Sequence, residues 1–101
     1  MFNKIKKIKD MRDKAKKMQE KMAEITAEGS SGWGAKVTVE VNGNQEVLNV
    51  DIDDKLMDDK EKLQEAVKDA VNDGMENVQK ALTKKMKDTG DMQEMMKNFG
   101  L

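Results

Sequence analysis

Residues 36–52 read Lys36-Val37-Thr38-Val39-Glu40-Val41-Asn42-Gly43-Asn44-Gln45-Glu46-Val47-Leu48-Asn49-Val50-Asp51-Ile52. Val37, Val39 and Val41 alternate with Lys36, Thr38 and Glu40, the period of two that turns one side of a strand to a core and the other to water. Asn42-Gly43 follows. An Asn-Gly pair is the strongest short hairpin signal, because both central positions of a type I′ turn need positive φ. The returning strand carries Leu48, Val50 and Ile52 on one face, with Asn49 and Asp51 on the other. A hairpin of two strands is marginal in water, so it needs a third strand, a covering helix or a partner's sheet. The stretch before it, Gly29-Ser30-Ser31-Gly32-Trp33-Gly34, is rich in turn residues.

Helical patterns flank this β region. Upstream, Ile8, Ala15 and Met22 recur every seven residues, and Met11, Met18 and Ile25 interleave with them. This is an a/d seam held for three heptads, with Lys7, Lys14 and Lys21 in the g column beside it. It predicts a helix over residues 3–24. Downstream, Asp58 and Glu61 have the spacing of a capping box, with Asp58 as the cap. Leu63, Ala66, Val67, Ala70, Val71, Met75, Val78, Ala81, Leu82 and Met86 then mark one face of a helix over 59–88. Gly74 interrupts that helix at about 1 kcal/mol relative to Ala, for which a close helix crossing is the expected reason. The tail, residues 91–101, places Met92, Met95, Met96 and Phe99 at helical spacing, but an isolated helix of that length is marginal in water.

The composition supports one domain, residues 1–90, followed by the tail. The chain has 101 residues, 37% of them hydrophobic against about 45–50% in a typical domain, and only three aromatics, Phe2, Trp33 and Phe99. A single protomer can build only a thin core from these, and self-association is the expected remedy. There is no His and no Cys, which excludes imidazole bases, thiolate nucleophiles, disulfides and the common zinc sites. No apolar run approaches the roughly 20 residues of a membrane span, and the N-terminus lacks a signal-peptide core. The expectation is a soluble intracellular chain.

Several motifs give way to simpler readings. Gly29 and Gly34 have phosphate-loop separation, but Ala35 stands where the lysine belongs, so a turn is preferred. Asp51, Asp53 and Asp54 resemble the start of a calcium loop, yet Leu56 replaces its glycine and Lys62 its final glutamate. Asp58 and Asp59 lie in a polar stretch with nothing to raise a pKa for acid–base work. Trp33, between two glycines, is expected to pack at a turn or dimer contact rather than to stack on a base. The ten methionines are read as fillers of core gaps. No cofactor, metal or small-molecule substrate is expected, and the chain is read as a non-enzyme.

Charge is the one functional signal. The net charge is −1, but residues 1–21 carry +6, residues 22–78 carry −9 and residues 79–101 carry +2. A polyanion would meet two cationic ends and an acidic middle. A lysine-rich amphipathic helix can also lie on an anionic membrane, but this seam is narrow and lacks Trp and Leu, which suits another helix better.

The order of these elements, together with Met18-Gln19-Glu20-Lys21-Met22, the Gly32/Gly34 turn, Lys36-Val37-Thr38-Val39 leading to Asn42-Gly43, Val50-Asp51-Ile52-Asp53 and Ala70-Val71-Asn72-Asp73, resembles the YbaB/EbfC family of bacterial nucleoid-associated proteins. The likeness spans about Met11 to Met86. It implies an α+β fold of order α-β-β-β-α, with a small antiparallel sheet, two long helices and an added short strand near residues 25–31. It also implies a tweezer-like homodimer joined through the β layers, within a β region of residues 25–52. By the same resemblance the partner is double-stranded DNA, bound with little sequence preference in the cytoplasmic nucleoid, with roles in nucleoid organisation and gene regulation. The implied contacts are Lys4, Lys6, Lys7, Lys9, Arg12, Lys14, Lys16 and Lys17, with Lys84, Lys85 and Lys87, beside Lys80, as a weaker second set. This first helix is richer in lysine than the family pattern, and Gly74 stands where Ala is usual. A single Arg disfavours forked reading of guanine, so phosphate contacts without base specificity are expected. The alternative is a homodimeric interaction or adaptor protein that does not bind DNA, for which the acidic middle speaks.

Overall fold

The chain runs α1 (Phe2–Glu24), β1 (Thr26–Ser30), β2 (Val37–Asn42), β3 (Val47–Ile52), a single 3-10 turn (Asp54–Leu56) and α2 (Lys60–Thr89) in the computed structural model, which describes residues 2–89. This is the α-β-β-β-α order of an α+β fold. The Met-rich tail expected at 91–101, and the helix stop expected at Gly90, lie outside the described residues. The strands form one antiparallel sheet in the order β1-β2-β3.

The alternation of β2 decides the core. Val37, Val39 and Val41 are fully buried and point at α2, where they meet Ala66, Ala70 and Val78. Leu56 of the 3-10 turn closes the same cluster, and Ile25, Ala27, Ile52, Leu63, Val67, Val71 and Met75 pack around it. The side chains on this face of α2 are small, so the helix lies close to the sheet. Gly29 of β1 touches the α2 backbone: a Cβ there would collide with the Gly74 nitrogen and the Ala70 carbonyl. Gly74 is tolerated because of this close crossing, which is with a strand. A Cβ at Gly74 would meet Val39 Cγ2 at 3.1 Å.

Two side chains of α2 pin the outer edge of β1. Asp73 accepts the Ser30 N–H at 3.0 Å, and the Asn77 amide donates to the Glu28 carbonyl at 2.8 Å. That edge is thereby covered, as exposed strand edges in soluble proteins usually are. On β3 nothing comparable is seen among the described residues. The strand is exposed along its length except for half-buried Ile52, and Val47, Leu48 and Val50 each keep nearly half their surface in water.

Three local expectations need correction. First, the hairpin loop is not a two-residue type I′ turn with Asn42 and Gly43 at its centre. Asn42 ends β2, its carbonyl accepts the Gln45 N–H at 3.0 Å, and Gln45 takes the positive φ of 63°. A three-residue loop ending in a left-handed residue is the next commonest hairpin closure. Buried Asn42 organises it: Oδ1 accepts from the Asn44 and Glu46 N–H groups, and Nδ2 donates to Glu46 Oε1. Gly43 is a glycine for a different reason. Its N–H donates to the Met22 and Ile25 carbonyls at 3.0 and 2.9 Å, and a Cβ would sit 2.6 Å from the Met22 oxygen.

Second, the faces of β3 are reset. Glu40 pairs with Asn49 but Val41 pairs with Val47, which leaves Leu48 as the extra residue of a bulge. Residues directly opposite share a face, so Val47, Val50 and Ile52 join the valine face, and Leu48 is not in their series. Third, the cap of α2 is Asp59, not Asp58. Asp59 Oδ1 accepts the Lys62 N–H at 3.1 Å, and its carbonyl accepts from Leu63. The 3-10 turn shifts the helix start by one residue. That turn has its own cap, Asp53, which accepts from Lys55 N–H at 2.9 Å.

Two stability measurements check this packing. In urea titrations, Gly29→Ala is expected to cost about 1–3 kcal/mol by overpacking against immovable backbone, well beyond Gly74→Ala, where a valine methyl can yield and helix propensity improves. Asp59→Ala is expected to cost about 1 kcal/mol through loss of the cap, and Asp58→Ala close to nothing.

Candidate nucleic-acid interface

Helix α1 is made of Lys, Met, Ala, Glu and Gln at most positions, all good helix formers. Its C-terminal end is tied to the hairpin loop: Gly43 N–H caps the Met22 carbonyl, and the Asn44 amide donates to the Gln19 carbonyl at 3.0 Å. These tertiary donors satisfy carbonyls that a helix end leaves orphaned. Only the last turns of α1 touch the body. Met18 and Met22, both half-buried, share with Ile25, Leu82 and Met86 a groove of about 320 Å³. Towards the N-terminus, nothing among the described residues covers the helix.

Every cation predicted on α1 is therefore presented to solvent. Lys4, Lys6, Lys7, Lys9, Arg12, Lys14, Lys16 and Lys17 are all exposed, spread over about 20 Å of helix at 1.5 Å per residue. The second set does not stay together. Lys84 and Lys87 lie on one shallow face of α2 with Lys80, which is ion-paired to Glu76 at 3.3 Å. Lys85 turns instead into the groove facing α1, beside Lys21. Lys21 counts in the +6 of the N-terminal segment but is not among the contacts implied by the resemblance; its place in the groove emerges only when Met22 and Leu82 are brought to the same loop.

The fold also brings the last turns of α1 and the later turns of α2 to one corner. Leu82 and Met22 both abut Gly43, and α1 approaches this point as α2 leaves it. Glu24 lines the groove with Lys21 and Lys85, and Glu76 shares the face of Lys80, Lys84 and Lys87, but other acids lie away from them. Pairing places Glu28 opposite Glu40, and Thr38 opposite Ser30 and Asp51, on the sheet face away from α2. Glu61, Glu65 and Asp69 lie in the first half of α2. There Glu65 binds Lys68 at 2.9 Å, and this hydrogen bond with its charge raises the lysine pKa. That pair is remote from the cationic corner.

Trp33 is fully exposed, lifted off the body between Gly32 and Gly34, whose φ values of 109° and 77° both favour glycine. The packing expected for it at a turn is not seen among the described residues. Asp53 and Asp59, weighed as calcium or acid–base residues, are occupied as helix caps. Among the described residues no group of three or more carboxylates is arranged to hold a metal ion, and no helix is long and apolar enough to cross a membrane.

Comparison with known proteins agrees with this architecture. The family model of the YbaB/EbfC DNA-binding family matches residues 1–92. A "Nucleoid-associated protein" of Syntrophobacter fumaroxidans (strain DSM 10017 / MPOB) is 42% identical over 87 residues, which cover 84% of this chain and 78% of that protein. The crystal structure of the uncharacterized protein HP0035 from Helicobacter pylori superposes with a TM-score of 0.58 at 31% identity, covering 76% of this chain and 90% of the other. With its α-β-β-β-α order and a match over nearly its whole length, the chain belongs to the YbaB/EbfC DNA-binding family.

Proposed function

We propose that this protein is a non-enzymatic, nucleoid-associated protein that binds duplex DNA in the bacterial cytoplasm through lysine–phosphate contacts from α1. The observation that carries this reading is the N-terminal part of α1, with eight exposed cations from Lys4 to Lys17. The family membership and the nucleoid-associated relative support it. About 20 Å of duplex carries about a dozen phosphates, more than one helix side can reach, so each protomer engages roughly half of its eight cations. Lys84 and Lys87, on the α2 face of the same corner, extend the cationic surface. Lys has no forked geometry, so the contacts position the protein without reading bases. Such binding suits a role in nucleoid organisation and gene regulation.

The binding unit is proposed to be a homodimer joined through the β layer. Three features support this: the uncovered edge of β3, its half-exposed Val47, Leu48 and Val50, and the exposed Met57. Two copies sharing this face would thicken a core that one chain builds from a handful of small side chains. The adaptor reading keeps one supporting observation, the carboxylates Glu28, Glu40 and Asp51 on the open sheet face.

Binding to random-sequence duplex across a salt series is expected to give a slope of log K against log salt near −7 for a dimer, from about four phosphates per protomer at 0.9 each. Replacing Lys6, Lys7, Lys9 and Lys14 by Glu is expected to abolish binding while the circular dichroism stays helical. Tight binding that ignores salt, or that survives the reversal, contradicts the reading and favours the adaptor. Sedimentation of Val50→Glu is expected to show a shift from dimer to monomer, because a charge on the shared face must be desolvated. A dimer of unchanged affinity would place the interface elsewhere.

A further inference from the structure

Asn42-Gly43 is the only Asn-Gly step in the chain. An asparagine before glycine is the pair most prone to deamidation, because no side chain shields the backbone nitrogen that follows. In this fold that nitrogen is held by α1. We propose that Asn42 is a deamidation site controlled by α1: the docked helix end restrains the attacking nitrogen, and undocking releases it.

The chemistry needs water alone as co-reactant. The Gly43 nitrogen attacks Asn42 Cγ, and the N–C bond so formed closes a succinimide ring. The Gly43 N–H proton passes to a solvent base, while Nδ2 takes a proton from water and leaves as ammonia. Water then opens the ring at either carbonyl, giving aspartate or isoaspartate.

The structure readies the electrophile and restrains the nucleophile. Asn42 Oδ1 accepts the N–H groups of Asn44 at 3.0 Å and Glu46 at 3.1 Å. Attack on Cγ builds negative charge on that oxygen, where two fixed donors stabilise it as an oxyanion hole does. Nδ2, the leaving nitrogen, donates to Glu46 Oε1 at 3.0 Å. The nucleophile is differently placed. Gly43 N–H donates to the Met22 and Ile25 carbonyls at 3.0 and 2.9 Å, within the last turn of α1 and just past its end. A proton shared between two carbonyl oxygens is not readily lost to solvent. The groups on Oδ1 and Nδ2 belong to the loop, so undocking α1 frees the nitrogen and leaves them in place.

The product loosens the joint in turn. Aspartate at position 42 loses the Nδ2 donor and sets a carboxylate against Glu46 Oε1, at a site only 3% exposed. Like charges so placed repel, and burial adds to the cost. Isoaspartate lengthens the backbone directly before the nitrogen that caps Met22. Either product weakens the hold of the hairpin loop on α1, so the reaction marks irreversibly that the helix has been undocked.

The test incubates the full-length chain at mildly alkaline pH in heavy-oxygen water and follows label uptake at Asn42 by peptide mass spectrometry. Met18→Gly with Met22→Gly weakens the last turns of α1 without changing the loop, and is expected to speed deamidation at least about tenfold. Gly29→Ala, which strains the contact between β1 and α2 instead, is expected to leave the rate within about twofold, since local opening at the joint does not require it. No acceleration in the double variant overturns the proposal. Equal acceleration by Gly29→Ala overturns it too, by placing the reaction in the globally unfolded chain. For the product, Asn42→Asp is expected to speed amide exchange over residues 16–24 at least about tenfold. Adding Glu46→Gln, which turns the facing carboxylate into a donor, is expected to slow it again. Exchange that Asn42→Asp leaves unchanged, or that Glu46→Gln does not slow, overturns the loosening.

Discussion

The contact on which the structure depends is the meeting of Gly29 in β1 with the backbone of α2 at Ala70 and Gly74. A chain with 37% hydrophobic residues and few large ones cannot fill a wide gap between helix and sheet. It removes the gap instead. With glycine on both sides and alanines along the helix, α2 settles close enough for three valines of β2 to be buried completely. Dispersion falls steeply with separation, so small side chains pack well only when backbones approach.

That approach decides what is covered and what is not. Lying over β1 and β2, α2 reaches the outer edge of β1, where Asp73 and Asn77 occupy the strand's free N–H and C=O groups. It cannot at the same time cover β3, whose apolar side chains stay half in water. One edge is closed and the other stays uncovered among the described residues. The same placement carries the C-terminal half of α2 past the hairpin loop, where Gly43 and Asn44 hold the end of α1. The corner from which both helices depart is thus a consequence of the sheet packing.

Electrostatics follows the same division. A net charge of −1 hides a body that is acidic and helix ends that are cationic. Separation in sequence becomes separation in space because α1 touches the body only by its last turns. The lysines therefore stand clear of Glu28, Glu40 and Asp51, and a polyanion can approach them without crossing the acidic sheet face.

Much of this was legible in the sequence, because it depends on local period. Valine alternation marked β2, heptad spacing marked α1, an apolar stripe marked α2, and segmental charge singled out the lysines of α1. The first strand was expected only through family likeness, since Thr26-Ala27-Glu28-Gly29-Ser30 has no alternation of large apolar residues and is a strand by virtue of its neighbours. Other features were illegible for physical reasons. A bulge at Leu48 changes faces without changing composition, and a 3-10 turn moves a cap from Asp58 to Asp59. Gly43 looked like a turn glycine but is required by an oxygen from a distant helix. The sequence by itself determined which segments are helix and strand and where the charge lies, since these follow from side chains and their near neighbours. Only the tertiary structure decided which strand edge stays open, and that the end of α1 and the later turns of α2 share one corner, since both arise from contacts between residues distant in the chain, such as Ser30 with Asp73 and Gly43 with Met22 and Leu82.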